Sequence, residues 1–520
     1  MAGPSGTAKR RRVQPSATVQ GPTPPREWKK LDLSRRQKER FLFTEKPADP
    51  TKLPSDPVEL FDLFFDDEVI ETIVRFTHIY ARSKGNESFN TSPNEIRAFI
   101  GILLVSGYSP APRRYLYWNR DSDVYNEAIA STMTRNRFDE LVKYLHVSDN
   151  ATLDAGDRLS KVRPLLSMLN ERFLAFFEFL KTQNLSIDES MVPYFGKHGA
   201  KQFIRSKPIR FGYKMWVLAT PLGYVVQFEP YQGARGRQIE YPGLGMGGSV
   251  VIDLISELQI RDGCSYHLTF DNLFTSLKLV NVLTDKSIAC TGTLRANRIG
   301  DCPLKSTKEI EKSVRGTFDY SLEAKSGMIV VKWNDNNVVH AVSNKVGVHP
   351  LQTARRWSRT DGKKVEIGQP NLIKHYNQTM GGVDRMDQNV EKYRTAIRSK
   401  KWWWPIFGYC VDLCVQQAWH LHRIQNDSQS KKNDLLYLRR SIARSLMARA
   451  PRLQNPGRPM GFATAKNRVP NSVRFDRLDH LVQPSATQLK CAECGMKTKH
   501  RCIKCKVGVH DRCFVRFHTE

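Results

Sequence analysis

Residues Tyr376–Gln388 read YNQTMGGVDRMDQ. Gly381-Gly382 interrupts the chain just ahead of a run able to form a helix, so Asp384 and Asp387, three apart, share one face of its first turn. Acids suit the positive end of a helix dipole, and an aspartate pair on its own is ordinarily a solvated helix start. Two aspartates far upstream change that reading. Asp188 closes the run Leu185-Ser186-Ile187, and Asp271 closes Tyr266-His267-Leu268-Thr269-Phe270. Each therefore ends a strand expected to be buried, where a carboxylate has no packing role and must face a partner or a metal. Three such acids at one point repel one another unless a cation lies between them, and hard oxygen ligands call for Mg²⁺ or its near equivalent Mn²⁺.

Composition narrows the classes around this acidic constellation. A chain of 520 residues with 40% apolar content holds a sizeable core, as several domains or as one with insertions. A formal charge of +29 points to a polyanion as partner, because basic side chains displace the counterions condensed on DNA or RNA. No apolar run approaches membrane-spanning length and no signal-peptide pattern is found, so a soluble, intracellular protein with no membrane partner is expected. Five of the ten cysteines lie between Cys491 and Cys513, which in a reducing compartment argues for metal rather than disulfides.

The text of the chain changes character several times. Residues 1–55 are polar and rich in Pro, Ser and Arg, and are expected to form a disordered basic tail, with Lys9-Arg10-Arg11-Arg12 read as a nuclear import signal or a nucleic-acid patch. Residues 56–183 carry apolar stripes at helical spacing, among them a capped start at Ser92-Pro93-Asn94-Glu95. From 184 to 298 the order is three strands, a helix and a fourth strand, with Asp188 and Asp271 at strand ends. Gly243 to Gly248 fits no nucleotide-binding fingerprint and is read as a flexible loop entering a helix. Residues 299–368 look like a β-rich insertion, after which 369–392 return to the acidic constellation. Residues 393–485 are helical and basic, and Arg394, Arg398, Lys400 and Lys401 run into Trp402-Trp403-Trp404. Cations beside aromatics suit nucleic acid, although at least one of these tryptophans belongs to a helical core stripe.

Residues 486–520 hold the strongest local motif: Cys491-x2-Cys494, Cys502-x2-Cys505, His510-x2-Cys513 and His518. Each knuckle offers two ligands to a tetrahedral Zn²⁺, and together they overfill one site, so two zinc ions are implied. Cys491, Cys494, His510 and Cys513 can form one site and Cys502, Cys505 and His518 the other, with His500 available as an eighth ligand.

With these residues in view the chain resembles the piggyBac-type DNA transposases. LSIDESM around Asp188, LTFDNLFTS around Asp271, YNQTMGGVDRMDQ around Asp384 and Asp387, and YRTAIRSKKWWW directly after carry the resemblance, supported by DRLSKVRPLL and the cysteine-rich tail. It implies a multidomain α+β protein: an RNase H-like catalytic core interrupted by an insertion domain, a helical dimerisation and DNA-binding domain split across the core, and a cross-brace zinc domain that binds terminal-repeat DNA. It further implies a nuclear homodimer that cuts transposon ends through hairpin intermediates and inserts at TTAA sites. Asp188 and Asp271 would bind two Mg²⁺ (or Mn²⁺) ions with Asp384 completing the site and Asp387 assisting, while Asn272, Arg295 and Arg298 would hold substrate. A catalytically silent, domesticated DNA-binding relative is the alternative.

Overall fold

β-Branched and aromatic runs assemble a ten-stranded mixed sheet. Its strands are β1 (Trp28–Lys29), β2 (Asn184–Pro193), β3 (Gln202–Phe203), β4 (Phe211–Ala219), β5 (Val225–Pro230), β6 (His267–Phe270), β7 (Ala289–Thr293), β8 (Phe318–Glu323), β9 (Ile329–Asn334) and β10 (Val338–Ser343). They lie in the order β1-β8-β9-β10-β7-β6-β2-β4-β3, with β5 also on β4. β2, β4 and β5 are antiparallel, whereas β6 runs parallel to β2 and β7 parallel to β6. This computed structural model describes residues 26–41, 48–205, 207–233, 241–262, 265–425, 434–451 and 469–519. The chain divides into two compact units, Met1–Arg452 and Leu453–Glu520, which makes it a multidomain α+β protein. The basic run Lys9–Arg12 lies outside the described residues.

Two expectations are corrected here. The stretch 299–368 is not wholly an insertion separate from the core, because β10 pairs with β7 (Val342↔Gly292) and β8 to β10 lengthen the central sheet. Without them β7 would present an unpaired edge. Their alternation serves both faces: Val330 and Val342 join the main core, while Ile329 and Val331 pack with Leu372 and Ile373. Only β11 (Gln352–Ser358) and β12 (Lys363–Gln369) stand apart, as a two-stranded sheet. Nor is the whole of 1–55 a loose tail. β1 pairs with β8, Leu33 is buried, and the Asp32 carboxylate accepts from the Val348 and His349 N–H groups at 2.9 Å. The basic cluster at Arg35 is a helix, α1 (Arg35–Glu39), opened by a Ser34/Gln37 capping box. Single apolar residues such as Trp28 and Leu33 gave no periodicity from which to anticipate it.

Helices α2 (Pro57–Asp62), α3 (Asp67–Ser83), α4 (Pro93–Tyr108), α5 (Glu127–Thr132), α6 (Arg135–Tyr144) and α7 (Arg163–Ala175) form an apolar-faced module, and the first five are N-capped by Asp56, Asp66, Ser92, Asn126 and Thr134. Two long helices, which the sheet strands separate in sequence from α2–α7, complete it: α13 (Trp404–Gln425) and α14 (Leu435–Ala448). Between them in sequence lie the sheet-covering α8 (Gly245–Asp262) and α9 (Leu277–Asp285), short α10 (Thr307–Lys312), α11 (Asn371–Thr379) and α12 (Gly382–Lys392). The Gly243–Gly248 stretch, expected as a loop, is already helical from Gly245.

α14 lies along α4 at the bare backbone of Gly101, where a Cβ would stand 2.9 Å from the Ala443 carbonyl oxygen. A buried ion pair fixes the contact: Arg439 donates to Asp412 at 2.9 Å and to the Leu104 carbonyl, while Asp412 accepts from the Thr395 N–H and hydroxyl. On α13, Gln417 both donates to and accepts from the Val225 backbone, closing the outer edge of β5. Trp403 and Trp404 are core residues, and Trp402 stacks on His198 at 4.0 Å.

In the second unit, α15 (Asn471–Arg474), the β13 (Val482–Lys490) and β14 (Lys497–Cys502) pair and α16 (Asp511–Thr519) enclose a small core of Val469, Val507, Val509 and Phe517. Its boundary therefore falls well before the expected residue 486, since residues from Val469 onward pack into it.

Removing one partner of the Arg439–Asp412 pair leaves a charge buried alone. Arg439→Met is expected to lower unfolding free energy by ~3–5 kcal/mol, and adding Asp412→Leu to recover more than half of the loss. Equilibrium denaturation measures both, and a double variant as unstable as the single one would rule the ion-pair account out.

Candidate functional site

Parallel pairing sets the first two acids side by side. The β2–β6 register pairs Ser186 with Thr269 and Ile187 with Phe270, so Asp271 follows the end of β6 beside Asp188, on the face that also carries Ser186 and Thr269; Asp188, expected to close its strand, lies mid-strand, because β2 continues to Pro193 on β4. Side chains on this face are short, which lets α11 and α12 lie close against the sheet. Thr379 of α11 shares a 2.7 Å hydrogen bond with Thr269. At the start of α12, a Cβ on Gly382 would collide with the Thr220 carbonyl oxygen and lie 2.5 Å from Ser186 Oγ. Gly223, in the left-handed region at φ +104°, brings the β4–β5 turn against α12, and Arg385 donates to the Pro221 carbonyl at 2.7 Å. Held this way, α12 places Asp387 where its Oδ1 accepts from Ser190 Oγ at 2.5 Å, with Asp384 exposed one turn nearer the helix start.

The electrostatics show what this arrangement lacks. Burial pushes the Asp188 carboxyl up to about 7, the charges of Asp271 and Glu189 adding to the effect and Lys207 opposing it. Asp271 is raised by burial, against the Leu273 N–H that it accepts at 2.8 Å. Asp387 is pushed up to about 6 by burial, with Asp384 adding and Ser190 opposing. The phenol of Tyr376, on α11, is pushed up to about 12 by burial and by the charges of Asp271, Asp188 and Asp384 together. All three carboxylates act on this one tyrosine, and negative charge on this face is only partly offset by Lys207 and Arg295. Oxygen donors in such a deficit fit hard divalent cations, and a transposase family implies their use.

The basic residues divide. Lys207 went unnoticed in the sequence: its ammonium donates to the Glu189 carbonyl at 3.3 Å and its charge acts on Asp188, Asp271 and Asp387. Arg295 donates to Asn272 Oδ1 at 3.2 Å, and its charge lowers Asp271. Arg298 is not an open phosphate contact; its guanidinium binds the carbonyls of Asn272 (2.9 Å), Leu273 (3.4 Å) and Thr275 (2.8 Å) and braces the turn after Asp271. Lys401 is likewise turned inward. It donates to the Leu145 carbonyl at 2.7 Å beside the Trp403 ring, and burial brings its ammonium down to about 7. Arg398 and Lys400 are exposed, and Arg394 lies near enough to lower Asp387.

The second unit brings eight ligands into two groups, each with its ligand atoms within 4.8 Å of one another: Cys491, Cys494, His510 and Cys513, and His480, Cys502, Cys505 and His518. The grouping differs from the expected one at one residue. His480, not His500, is the eighth residue of the two groups; His500 instead faces Asp511 at 3.5 Å. His480 was missed because it lies eleven residues before the first knuckle and belongs to no C-x2-C spacing. Sulfur-to-nitrogen separations of 3.4 Å (Cys494–His510, Cys505–His518) and 3.5 Å (Cys502–His480) approach the edge of about 3.6 Å that Zn–S and Zn–N bond lengths give a tetrahedron. The second ring nitrogen of each histidine is anchored, His480 on Asp476 and the Val473 carbonyl, His510 on the Lys497 carbonyl and His518 on the Phe514 carbonyl. That frees the facing nitrogen as a ligand. The clusters interleave along the chain, as a cross-brace does, and both can hold zinc.

Comparison with known proteins places this architecture among the transposases: the family model described as Transposase IS4 matches residues 56–419. The chain belongs to the piggyBac-type transposase family. It is 42% identical over 520 residues to human PiggyBac transposable element-derived protein 3, covering 98% of this chain and 85% of that protein. It is 38% identical over 462 residues to human PiggyBac transposable element-derived protein 2, covering 89% and 76%. The fold matches a cryo-EM structure of a piggyBac transposase synaptic complex with hairpin DNA, with a TM-score of 0.64 at 22% identity over 91% of this chain and 100% of that one. Among the described residues no helix is long and apolar enough to cross a membrane.

Two measurements test the metal-binding geometry. Because Asp188 and Asp387 titrate above the ordinary carboxylate range, the folded state holds more protons than the unfolded one between pH ~4 and ~7, and metal-free protein should lose stability as pH rises through that window. Mg²⁺ should raise the melting temperature more at pH 8 than at pH 5, and Asp188→Asn should flatten the pH dependence; a metal effect equal at both pH values would contradict the site. In the second unit, His480→Ala should reduce bound zinc from two ions to one by metal analysis while His500→Ala retains two, and the reverse result would restore His500 as the ligand.

Proposed function

We propose that this chain is a cut-and-paste DNA transposase whose active site is built by Asp188, Asp271 and Asp384. The observation that carries the reading is the β2–β6 register, which sets Asp188 beside Asp271 on the face against which α12 brings Asp384 and Asp387, in a basic chain of the piggyBac-type family. Asp188, Asp271 and Asp384 hold two Mg²⁺ or Mn²⁺ ions, and Asp387, anchored on Ser190, keeps the first turn of α12 in place. The ions, when bound, activate a water or 3′-hydroxyl nucleophile and stabilise the leaving oxygen of an in-line phosphodiester displacement. Arg295 orients Asn272 beside Asp271, Lys207 offsets part of the carboxylate charge, and Arg398 and Lys400 contact DNA phosphates.

The remaining parts follow the family expectation. The antiparallel and parallel strands from β2 to β7 serve as an RNase H-like core. The helices before it and after it act as a dimerisation and DNA-binding module, and the zinc unit grips terminal-repeat DNA. The protein works in the nucleus as a homodimer, passes through hairpin ends and inserts at TTAA. A second reading, a DNA-binding protein without transposition, is favoured by the description of its human relatives as transposable element-derived.

A plasmid excision assay with the cognate ends separates the two. Wild type is expected to excise, and Asp188→Asn or Asp271→Asn to lower excision by at least about 10²-fold, the scale on which even outer partners of metal sites act, with DNA binding retained. Excision by both variants at the wild-type rate removes the catalytic assignment, and binding without excision by wild type selects the second reading.

A further inference from the structure

Three phenylalanines outside the acidic face are exposed where a core residue would be covered: Phe195 at 80%, Phe203 at 59% and Phe211 at 41%. They form one patch. Phe203 and Phe211 are directly paired across β3 and β4 with ring centroids 4.8 Å apart, and Phe195 lies 6.5 Å from Phe211. Leaving such rings partly in water forgoes the stabilisation that burial would give, so a patch of three marks a surface that meets something.

Its surroundings say what. From Tyr194 to Lys214 the chain carries six Lys or Arg and no Asp or Glu. The Lys201 ammonium lies 5.8 Å over the Phe211 ring. At the other end Lys207 reaches Glu189, next to Asp188, so the cation-rimmed aromatic edge is continuous with the acidic face. Flat π-faces set among cations match a polymer with a regular phosphate backbone and open base faces. In a duplex the base faces are already stacked on each other, so only unpaired nucleotides can use the rings.

We propose that Phe195, Phe203 and Phe211 form a stacking platform for unpaired bases of a DNA strand end, with Lys201 and its basic neighbours holding the phosphates. The platform rests on the DNA-processing reading given above and adds a preference within it: frayed or single-stranded ends over intact duplex.

The test uses the full chain and two probes at one fixed ionic strength, a blunt duplex and the same duplex with a short overhang containing 2-aminopurine. Wild type should bind the overhang about 10- to 100-fold more tightly and change its 2-aminopurine fluorescence, the size expected from stacking one or two bases. The triple variant Phe195→Ala/Phe203→Ala/Phe211→Ala should bind both probes like the blunt duplex, with an unchanged melting temperature. Should it fail to fold, Phe195→Ala alone, at the most exposed ring, should still reduce the preference severalfold, and Phe195→Trp should keep it. A wild type indifferent to the overhang, variants that keep full preference, or a loss accompanied by a changed oligomeric state would each overturn the platform, the last by making the patch a protein–protein face. Excision by wild type without overhang preference rejects the platform alone; overhang preference without excision leaves the platform and rejects the transposase reading.

Discussion

The acidic face depends on how closely α12 can approach β2. The two are separated by no large side chain: Gly382 lies against the Thr220 carbonyl, Ser186 is the residue beneath it, and Ser190 reaches Asp387 directly. Any Cβ at Gly382 would lift the helix and carry Asp384 away from Asp188 and Asp271. Gly382, the second of the two glycines ahead of the aspartates, is thus a packing requirement before it is a chemical one, whereas a Cβ on Gly381 would meet nothing. The β4–β5 turn presses on the same helix through Gly223 and the Pro221 carbonyl, so the strand pair beside β2 takes part in aiming α12.

Much of this was legible in the chain because the informative signals are local. The strand end at Asp271, the cap at Ser92 and the C-x2-C knuckles each need only a few neighbours to be read, whereas β2 runs on past Asp188 to Pro193. What stayed hidden depends on distant partners. Lys207 has no motif; its importance comes from the β3–β4 turn folding back on β2. Lys401 and Arg298 read as surface cations because nothing in sequence says that carbonyls of Leu145 or of the Asp271 turn will face them. His480 enters its cluster only because α15 and β13 fold around the knuckles. β8 to β10 were identified as strands, but which edge they pair with is a tertiary fact, and the insertion reading failed on that point.

Metal would play opposite parts in the two units. The second unit has a core of few buried side chains, so ligand binding would supply a large part of its folding free energy, and its histidines are already fixed by outer hydrogen bonds. The acidic face sits on a sheet and helix core that is complete without any ion. There the cation would correct a local excess of negative charge instead of organising the fold.

This difference bears on whether the acids are relics. A carboxyl raised to about 7 at Asp188 is a group whose ionised form the folded protein disfavours at neutral pH. An asparagine would remove that cost while keeping the size and the polarity, and the strand pairing of β2 would not notice the change. A protein needing only its DNA-binding surface would be more stable with the substitution. Asp188, Asp271 and Asp387 thus lie where burial disfavours their charged forms, a cost to stability that a bound cation would offset.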